Sequence, residues 1–212
     1  MAITNGYTTV IKVAEALQIS VTDHDTLLEY AVEAASRQID AYCGKGRRFW
    51  QDSEAVARQY YPQERRRLHV DDVSTTTGLA VKIDMDDDGT YETTLTINQD
   101  FIVEPVNAAA ESPVRPFTTI ALLDGTITGW SKLSSGRPYV QVTAKFGWPA
   151  VPIAVERACV MQAKNVFKAP DLMYGSFQLS SEGTPLNAPS MDPVARALLE
   201  NYVRWDQVDD HE

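Results

Sequence analysis

The most chemically distinctive stretch of the sequence is DMDDDGTYE, residues 84–92, in which carboxylates recur at alternate positions. Asp84, Asp86 and Asp88 would fill the first, third and fifth places of an EF-hand calcium loop, and the glycine after them its sharp turn. The bidentate carboxylate of the twelfth place is missing, because that residue is Leu95. The flanking residues also alternate as strands do, whereas an EF-hand loop lies between helices.

Two interpretations of this acidic stretch follow from its residues. The plainer one is a β-hairpin with Asp-Asp-Gly at its tip, because glycine readily adopts the positive φ that such turns require. The other is a calcium site in which Asp84, Asp86 and Asp88 are ligands. We predict a hairpin without an obligatory metal and keep calcium as the weaker alternative, since motifs without their structural context often match by chance.

Other catalytic and metal-binding patterns are absent from the sequence. His24, His69 and His211 are not at metal-ligand spacing from one another or from a cysteine, which argues against zinc. No nucleophile elbow, HExxH motif or glycine-rich phosphate loop occurs. Cys43 and Cys159 lie on predicted apolar helix faces, where a thiol behaves as a small hydrophobe. We therefore predict no catalytic residues, no cofactor and no enzymatic activity.

Basic residues form two short clusters, GKGRRFW and ERRRLH. Guanidinium groups beside aromatic residues are common anchors of interfaces, and cations also neutralise phosphates. A solvated surface is the commoner role of such a run. The candidate residues for contact with DNA or with another subunit are Lys45, Arg47, Arg48, Arg65, Arg66 and Arg67.

The overall charge limits the classes of partner. Nineteen basic and 29 acidic residues give a net charge of −10, which repels the phosphate backbone at long range and disfavours a conventional DNA-binding protein. The same charge suits a surface past which DNA slides without sticking. No apolar run approaches the roughly 20 residues that span a bilayer, so we expect no membrane contact.

Helices are predicted at both ends of the chain and strands between them. Apolar residues recur at helical spacing over 25–43 and 153–168, whereas 55–148 is rich in β-branched and aromatic residues broken by Gly, Pro, Asn and Asp. The predicted strands are VARQYYP, RLHV, LAVKID, YETTLTI, DFIVEP, FTTIALL and YVQVTAKFGW.

These elements predict an α+β fold. N- and C-terminal helices form one helical body, because neither end buries its apolar stripe alone, and a small antiparallel β-domain is inserted between them. The predicted divisions are 1–53 for the N-terminal helical part, 54–148 for the inserted β-rich domain, 149–175 for the long helix that completes the helical body, and 176–212 for an extended arm and C-terminal helix.

The last predicted helix, DPVARALLENYVRW, carries an apolar stripe. Val194, Leu198, Tyr202 and Trp205 recur at helical spacing, and Asp192 is placed to cap the first turn. The stripe must be buried, either against the helical body of the same chain or against a partner.

Four stretches together resemble the head-to-tail adaptor (connector) proteins of long-tailed bacteriophages of the siphophage type. The order and spacing of these stretches carry the resemblance, which covers most of the chain from Asp23 to Trp205. The stretches are AASRQIDAYCGKGRRFW, RLHVDDVSTTTGLAVKID with its continuation DDDGTYETTLTINQDFIVEPVNA, VTAKFGWPAVPIAVERACVMQAKNVFK, and DPVARALLENYVRW.

The resemblance implies a virion structural protein of the neck, at the head-tail interface. Such a protein forms a ring, expected to be twelve-fold, beneath the portal and extends the DNA channel toward the stopper and tail. Its implied partners are the portal protein, a stopper or other neck protein, further copies of itself, and double-stranded DNA that passes without sequence-specific binding. Assembly in the host cytoplasm is implied as well.

The resemblance also favours docking of the C-terminal stripe on the portal. The interface residues it implies are Leu198, Tyr202, Arg204 and Trp205. Two alternatives remain: another neck or tail-completion protein such as a stopper, and, more weakly, a calcium-binding β-domain protein.

Overall fold

A computed structural model shows an α+β fold, with helices at both ends of the chain and antiparallel strands between them. The predicted fold class is therefore confirmed. The structure describes residues 3, 5–44, 47–125, 127, 129–175 and 191–204, without the side chains of 170–175.

The helices and strands of the described residues follow the predicted order. The α-helices are α1 (Val10–Leu17), α2 (Asp25–Cys43), α3 (Ile153–Gly175) and α4 (Pro193–Leu199). The β-strands are β1 (Val56–Tyr60), β2 (Arg67–Val73), β3 (Ala80–Ile83), β4 (Thr93–Leu95), β5 (Phe101–Glu104), β6 (Phe117–Leu122) and β7 (Val140–Ala144). Short 3-10 turns span Ala108–Ala110 and Glu200–Tyr202.

The chain divides into two compact units, and the first joins residues 1–47 to residues 151–212. Helices α2 and α3 form its centre and pack along their apolar faces, while α1 and α4 pack beside them. Burial of these faces removes apolar surface from water, which stabilises the unit. The buried apolar residues of the two central helices, within the part of the chain that the structure describes, are Leu28, Ala31, Val32, Ala35, Ile39, Cys43, Val155, Ala158, Cys159 and Ala163.

Helices α2 and α3 run antiparallel. The ring of His24, just before α2, lies 5.7 Å from that of Phe167 near the far end of α3. Ser36, two turns before the end of α2, has its Oγ 3.5 Å from the Sγ of Cys159. Cys43 and Cys159 are both free and buried, and burial raises the pKa of their thiols to about 12 and about 11. Both cysteines are therefore core residues.

The second unit, residues 48–150, contains all seven strands in two antiparallel sheets. One sheet has the order β1-β7-β3-β4 and the other β2-β6-β5. Its core includes Val81, Ile83, Phe101, Ile120 and Val142. Among the described residues of the whole chain, no helix is both long and apolar enough to cross a membrane.

Strand β7 ends before a corner that only glycine can form. Gly147 has φ +101°, and a Cβ atom there would overlap the carbonyl oxygen of Trp50. The Gly147 N–H donates to the carbonyl of Asp72 at 2.7 Å, and the indole N–H of Trp148 donates to the buried carboxylate of Asp72 at 3.1 Å. This corner stops the predicted strand YVQVTAKFGW at Ala144.

Candidate functional site

The acidic stretch connects two paired strands. Strands β3 and β4 form an antiparallel hairpin in which Ile83 faces Thr93, so residues 84–92 are its loop. Gly89 has φ +92° in this loop, as the hairpin interpretation requires. The predicted hairpin is confirmed, while the absence of an obligatory metal stays a prediction.

Asp84 organises the hairpin loop from within. Its side chain is fully buried, and its two carboxylate oxygens accept backbone N–H groups from Asp87 at 2.8 Å and Gly89 at 2.9 Å. An aspartate that accepts local N–H groups in this way fixes a turn. The first residue of the EF-hand-like pattern therefore already has a structural role.

The loop also brings four carboxylates together. One oxygen each from Asp84, Asp86, Asp88 and Glu92 lies within 4.8 Å of the others. Several carboxylate oxygens at one point are the ligand type that calcium prefers. Leu95 is 4% exposed in the core of the second unit, so the loop lacks the twelfth EF-hand ligand. The arrangement is compatible with a hard cation but is not an EF-hand.

Asp87, at the tip of the loop, contacts the segment before β7. Its carboxylate accepts the backbone N–H of Ser135 at 2.8 Å, and the hydroxyls of Ser135 and Ser134. These donors, the Ser135 hydroxyl first, hold the pKa of Asp87 below its ordinary value. The residue has φ +65°, which aspartate tolerates better than most residues. No sequence pattern indicated this contact.

The first basic cluster is divided between the two units, and its Lys45 lies outside the described residues. Arg47 is buried, and its guanidinium donates to the carbonyl of Tyr202. Next to it, the backbone N–H of Arg204 donates to the carbonyl of Cys43 at 2.9 Å. Arg47 therefore helps to hold the C-terminal segment against the end of α2.

Arg48 belongs to the second unit and interacts with its neighbours. Its guanidinium lies 4.4 Å from the ring centre of Trp50, and its Nη1 lies 3.6 Å from the carboxylate of Asp52. Stacking of arginine on tryptophan is a favourable cation–π interaction. The carboxylate partially neutralises the charge that this position would offer to DNA.

Two arginines of the second basic cluster also have carboxylate partners. Arg66 pairs with Asp124 at 2.5 Å and Arg67 with Glu104 at 3.2 Å. Arg65 contributes its carbonyl, which accepts the backbone N–H of Trp130 at 2.8 Å. A contact with DNA or another subunit at Arg66 or Arg67 would compete with these ion pairs, and it stays a prediction.

The C-terminal helix packs on the helical unit of its own chain. Ala195 and Leu199 are fully buried, and α4 lies against α3. Val194 is 56% exposed, so the helical unit of the same chain does not bury the whole predicted stripe. Burial of Val194 against a partner stays a prediction. The α-helix ends at Leu199 and continues as a 3-10 turn, which does not maintain the helical spacing toward Tyr202.

Asp192 caps α4 as predicted. Its carboxylate accepts the backbone N–H groups of Val194 at 2.8 Å and Ala195 at 3.0 Å, and the amide of Asn165 at 3.1 Å. Gln162 accepts the Asp192 N–H at 2.9 Å, which joins the cap to α3. The cap thus fixes both the start of α4 and its position.

The candidate portal residues have unequal exposure. Leu198 and Tyr202 are half-buried, Arg204 is buried within the helical unit, and Trp205 lies outside the described residues. Of the candidate portal residues within the described part of the chain, Leu198 and Tyr202 therefore offer surface to a partner, and exposed Val194 lies on the same helix.

Comparisons with known proteins place the fold. No protein-family model matches the chain, and no curated protein matches it in sequence. The chain is 17% identical, with a TM-score of 0.53, to a chain of the structure "Neck of empty GTA particle computed with C6 symmetry". The match covers 96% of this chain and 92% of that one. This is the fold of a gene transfer agent neck chain.

Two further structures of gene transfer agent particles resemble the chain over the same shares of length. They are "Neck of native GTA particle computed with C12 symmetry", at 16% identity and a TM-score of 0.49, and "Virion of native gene transfer agent (GTA) particle", at 19% and 0.47. The neck-chain fold in the first match extends over nearly all of both chains, and so includes the helices as well as the sheets.

Proposed function

We propose that this protein is a structural protein of a virion neck, a head-to-tail adaptor that forms a ring beneath the portal. The observation that carries the proposal is the nearly full-length likeness of its fold to a gene transfer agent neck chain. The four stretches that resemble bacteriophage adaptors support the same role. A ring in this place extends the DNA channel toward the stopper and tail.

Rotational symmetry supports the ring. The neck structure that shares this fold was computed with C6 symmetry, in which every subunit away from the axis recurs in multiples of six. Twelve copies satisfy that condition. Heterologous contacts between identical chains form a closed ring when the rotation that relates neighbouring copies divides a full turn evenly.

The charge of the chain supports passage of DNA without binding. The net charge is −10. In the two basic clusters, Arg48, Arg66 and Arg67 each have a carboxylate of the same chain beside them. A channel lined with excess carboxylates repels phosphates, so DNA gains no strong contacts during packaging or ejection. The role is structural and not enzymatic.

Docking on the portal is assigned to the C-terminal segment. Leu198, Tyr202 and Trp205 would contact the portal, while Arg204 would position them, since its backbone bonds to the end of α2. Aromatic side chains of this kind commonly dominate the energetics of interfaces. A Tyr202→Ala/Trp205→Ala chain should fold normally and bind portal-containing heads more weakly than a Lys132→Ala control.

The decisive experiment measures copy number and assembly. Mass spectrometry of purified particles should give a copy number of this chain per particle that is a multiple of six. We expect twelve copies for each assembled portal. Deletion of its gene should leave DNA-filled heads without tails. One copy per particle, or normal tailed particles after deletion, would refute the proposal.

Two alternatives have different outcomes. If this chain were a stopper or another neck protein, it would cross-link in particles to the adaptor and not to the portal. A calcium-binding role is favoured by the four convergent carboxylates of the hairpin loop, and it would make the stability of the protein depend on calcium.

A further inference from the structure

Helix α2 carries an exposed face opposite its buried one. Leu27 and Tyr30 are 60% and 71% exposed, and Ala34 follows them at helical spacing. Glu33 lies beside the same side, and Asp23 lies just before the first turn of the helix. We call Leu27, Tyr30, Ala34, Asp23 and Glu33 the acidic α2 face. Arg37 also lies on this side, and its guanidinium is paired with Asp40 of the same helix. Tyrosine is enriched at the centres of protein interfaces, so its exposure in the free chain is informative.

Helix α3 carries a second exposed face, with the opposite charge. Ile153 is 76% exposed, and Arg157, Val160, Lys164 and Lys168 follow at spacings of four, three, four and four residues. These positions share one side of an α-helix. We call them the basic α3 face. The basic α3 face combines apolar residues with three cations, and the acidic α2 face combines apolar residues with carboxylates.

The charges of the two faces are largely unneutralised within the chain. Between described residues there is no ion pair at Asp23, Glu33, Arg157 or Lys168. Lys164 is the exception in part, because it is close enough to Asp192 to help lower the pKa of that carboxyl.

The fold sets the two faces on opposite sides of one helix pair. Helices α2 and α3 bury the sides that face each other, so their exposed sides point away from each other. The antiparallel pairing places Asp23, next to His24, level with Lys168, next to Phe167. A copy displaced sideways would therefore bring the acidic end of one face against the basic end of the other.

We propose that the acidic α2 face of one copy docks on the basic α3 face of the next copy. The proposal rests on the proposed function, because a ring needs a heterologous contact. A second copy is the occupant because one chain supplies both halves of a complementary pair. Complementary charge guides such association and sets its register, while Leu27, Tyr30 and Ile153 supply apolar contact.

The test reverses the charge of each face separately. An Asp23→Lys/Glu33→Lys chain has two basic faces, and an Arg157→Glu/Lys168→Glu chain has two acidic ones. Each alone should enter particles at least tenfold less than the wild type. A mixture of the two should recover most assembly, because they can alternate around an even-numbered ring. A chain with all four substitutions should recover it as well.

Matched measurements separate folding from assembly. The substituted residues are exposed or half-buried, so each purified variant should keep the wild-type melting temperature. As a second readout, oxidised particles with Leu27→Cys/Lys168→Cys should give a ladder of multimers that neither single cysteine gives. The native Cys43 and Cys159 are buried and should not contribute.

The outcomes distinguish this contact from the function on which it rests. Wild-type assembly by both charge variants, or no recovery in the mixture, would overturn the contact while a multiple of six copies per particle leaves the adaptor role standing. A single copy per particle would overturn both.

Discussion

Gly147 has φ +101°, and a Cβ atom at this position would overlap the carbonyl oxygen of Trp50. Gly147→Ala should therefore lower the free energy of unfolding by more than about 3 kcal/mol, because the backbone of the corner must move. Gly78 is the matched control, since its φ is +78° and nothing lies within 4 Å of a Cβ there. Gly78→Ala should cost only about 1–2 kcal/mol.

Urea unfolding of both glycine variants measures the difference. An equal loss of unfolding free energy in Gly147→Ala and Gly78→Ala would show that overlap with Trp50 does not cause the destabilisation at Gly147.

Asp84 and Asp86 are neighbours in one acidic loop with different roles. Asp84 is buried and accepts two backbone N–H groups, whereas Asp86 is exposed. Asp84→Ala should lower the free energy of unfolding by about 1–3 kcal/mol with or without calcium, because two backbone N–H groups of the loop lose their acceptor. Asp86→Ala should stay within about 0.5 kcal/mol.

Melting in calcium and in a chelator checks the role of metal at this loop. We expect the wild-type melting temperature to be the same in both. A rise in calcium that disappears in Asp86→Ala would favour the calcium interpretation.

The helix α4 is attached to the helical unit by one face. Leu199 is fully buried, and Val194 is 56% exposed. Leu199→Ala should cost about 2–5 kcal/mol, since it creates a cavity against α3, whereas Val194→Ala should change stability little. Denaturant unfolding of the full chain measures both. If Val194→Ala were the more damaging, α4 would pack on the helical unit through the side that carries Val194.

The cap of α4 should make stability depend on pH. The pKa of Asp192 is held below its ordinary value, first by the Ala195 N–H, so the ionised carboxylate stabilises the fold at neutral pH. This contribution is lost as the pH falls through the folded-state pKa. Asp192→Ala should cost about 1 kcal/mol at neutral pH, and the difference from wild type should shrink toward pH 2.

Asparagine provides the control for this cap. Asp192→Asn keeps a good capping group that does not titrate, so its stability relative to Asp192→Ala should not change with pH. A constant difference between wild type and Asp192→Ala from neutral to acid would contradict the assignment.

The whole molecule should bind duplex DNA poorly. Its net charge is −10, and Arg66 and Arg67 are paired with carboxylates. We expect no binding to a labelled duplex at about 0.15 M salt, where non-specific DNA-binding proteins reach Kd values of roughly 10⁻⁴–10⁻⁶ M. Fluorescence anisotropy measures this, and Arg66→Glu/Arg67→Glu should behave as the wild type.

A micromolar Kd that rises steeply with salt, and that is lost in Arg66→Glu/Arg67→Glu, would instead make these arginines a DNA contact.

Much of the local structure could be predicted because it depends on short-range pattern. Runs of β-branched and aromatic residues between turn residues identified every strand of the described chain, and helical spacing identified the buried face of α2. The sequence alone also indicated the hairpin around Gly89 and the cap at Asp192, since turn and cap preferences act over a few residues. Net charge was likewise a property of composition.

The tertiary structure decided which distant residues meet. It paired Arg47 with Tyr202, Arg66 with Asp124 and Arg67 with Glu104, set the sheet order β1-β7-β3-β4, and turned Val194 outward. A local pattern shows that a side chain is apolar or charged, but not which partner removes it from water. That partner is fixed by contacts between residues far apart in the chain, because only the packed fold determines which surfaces are buried together.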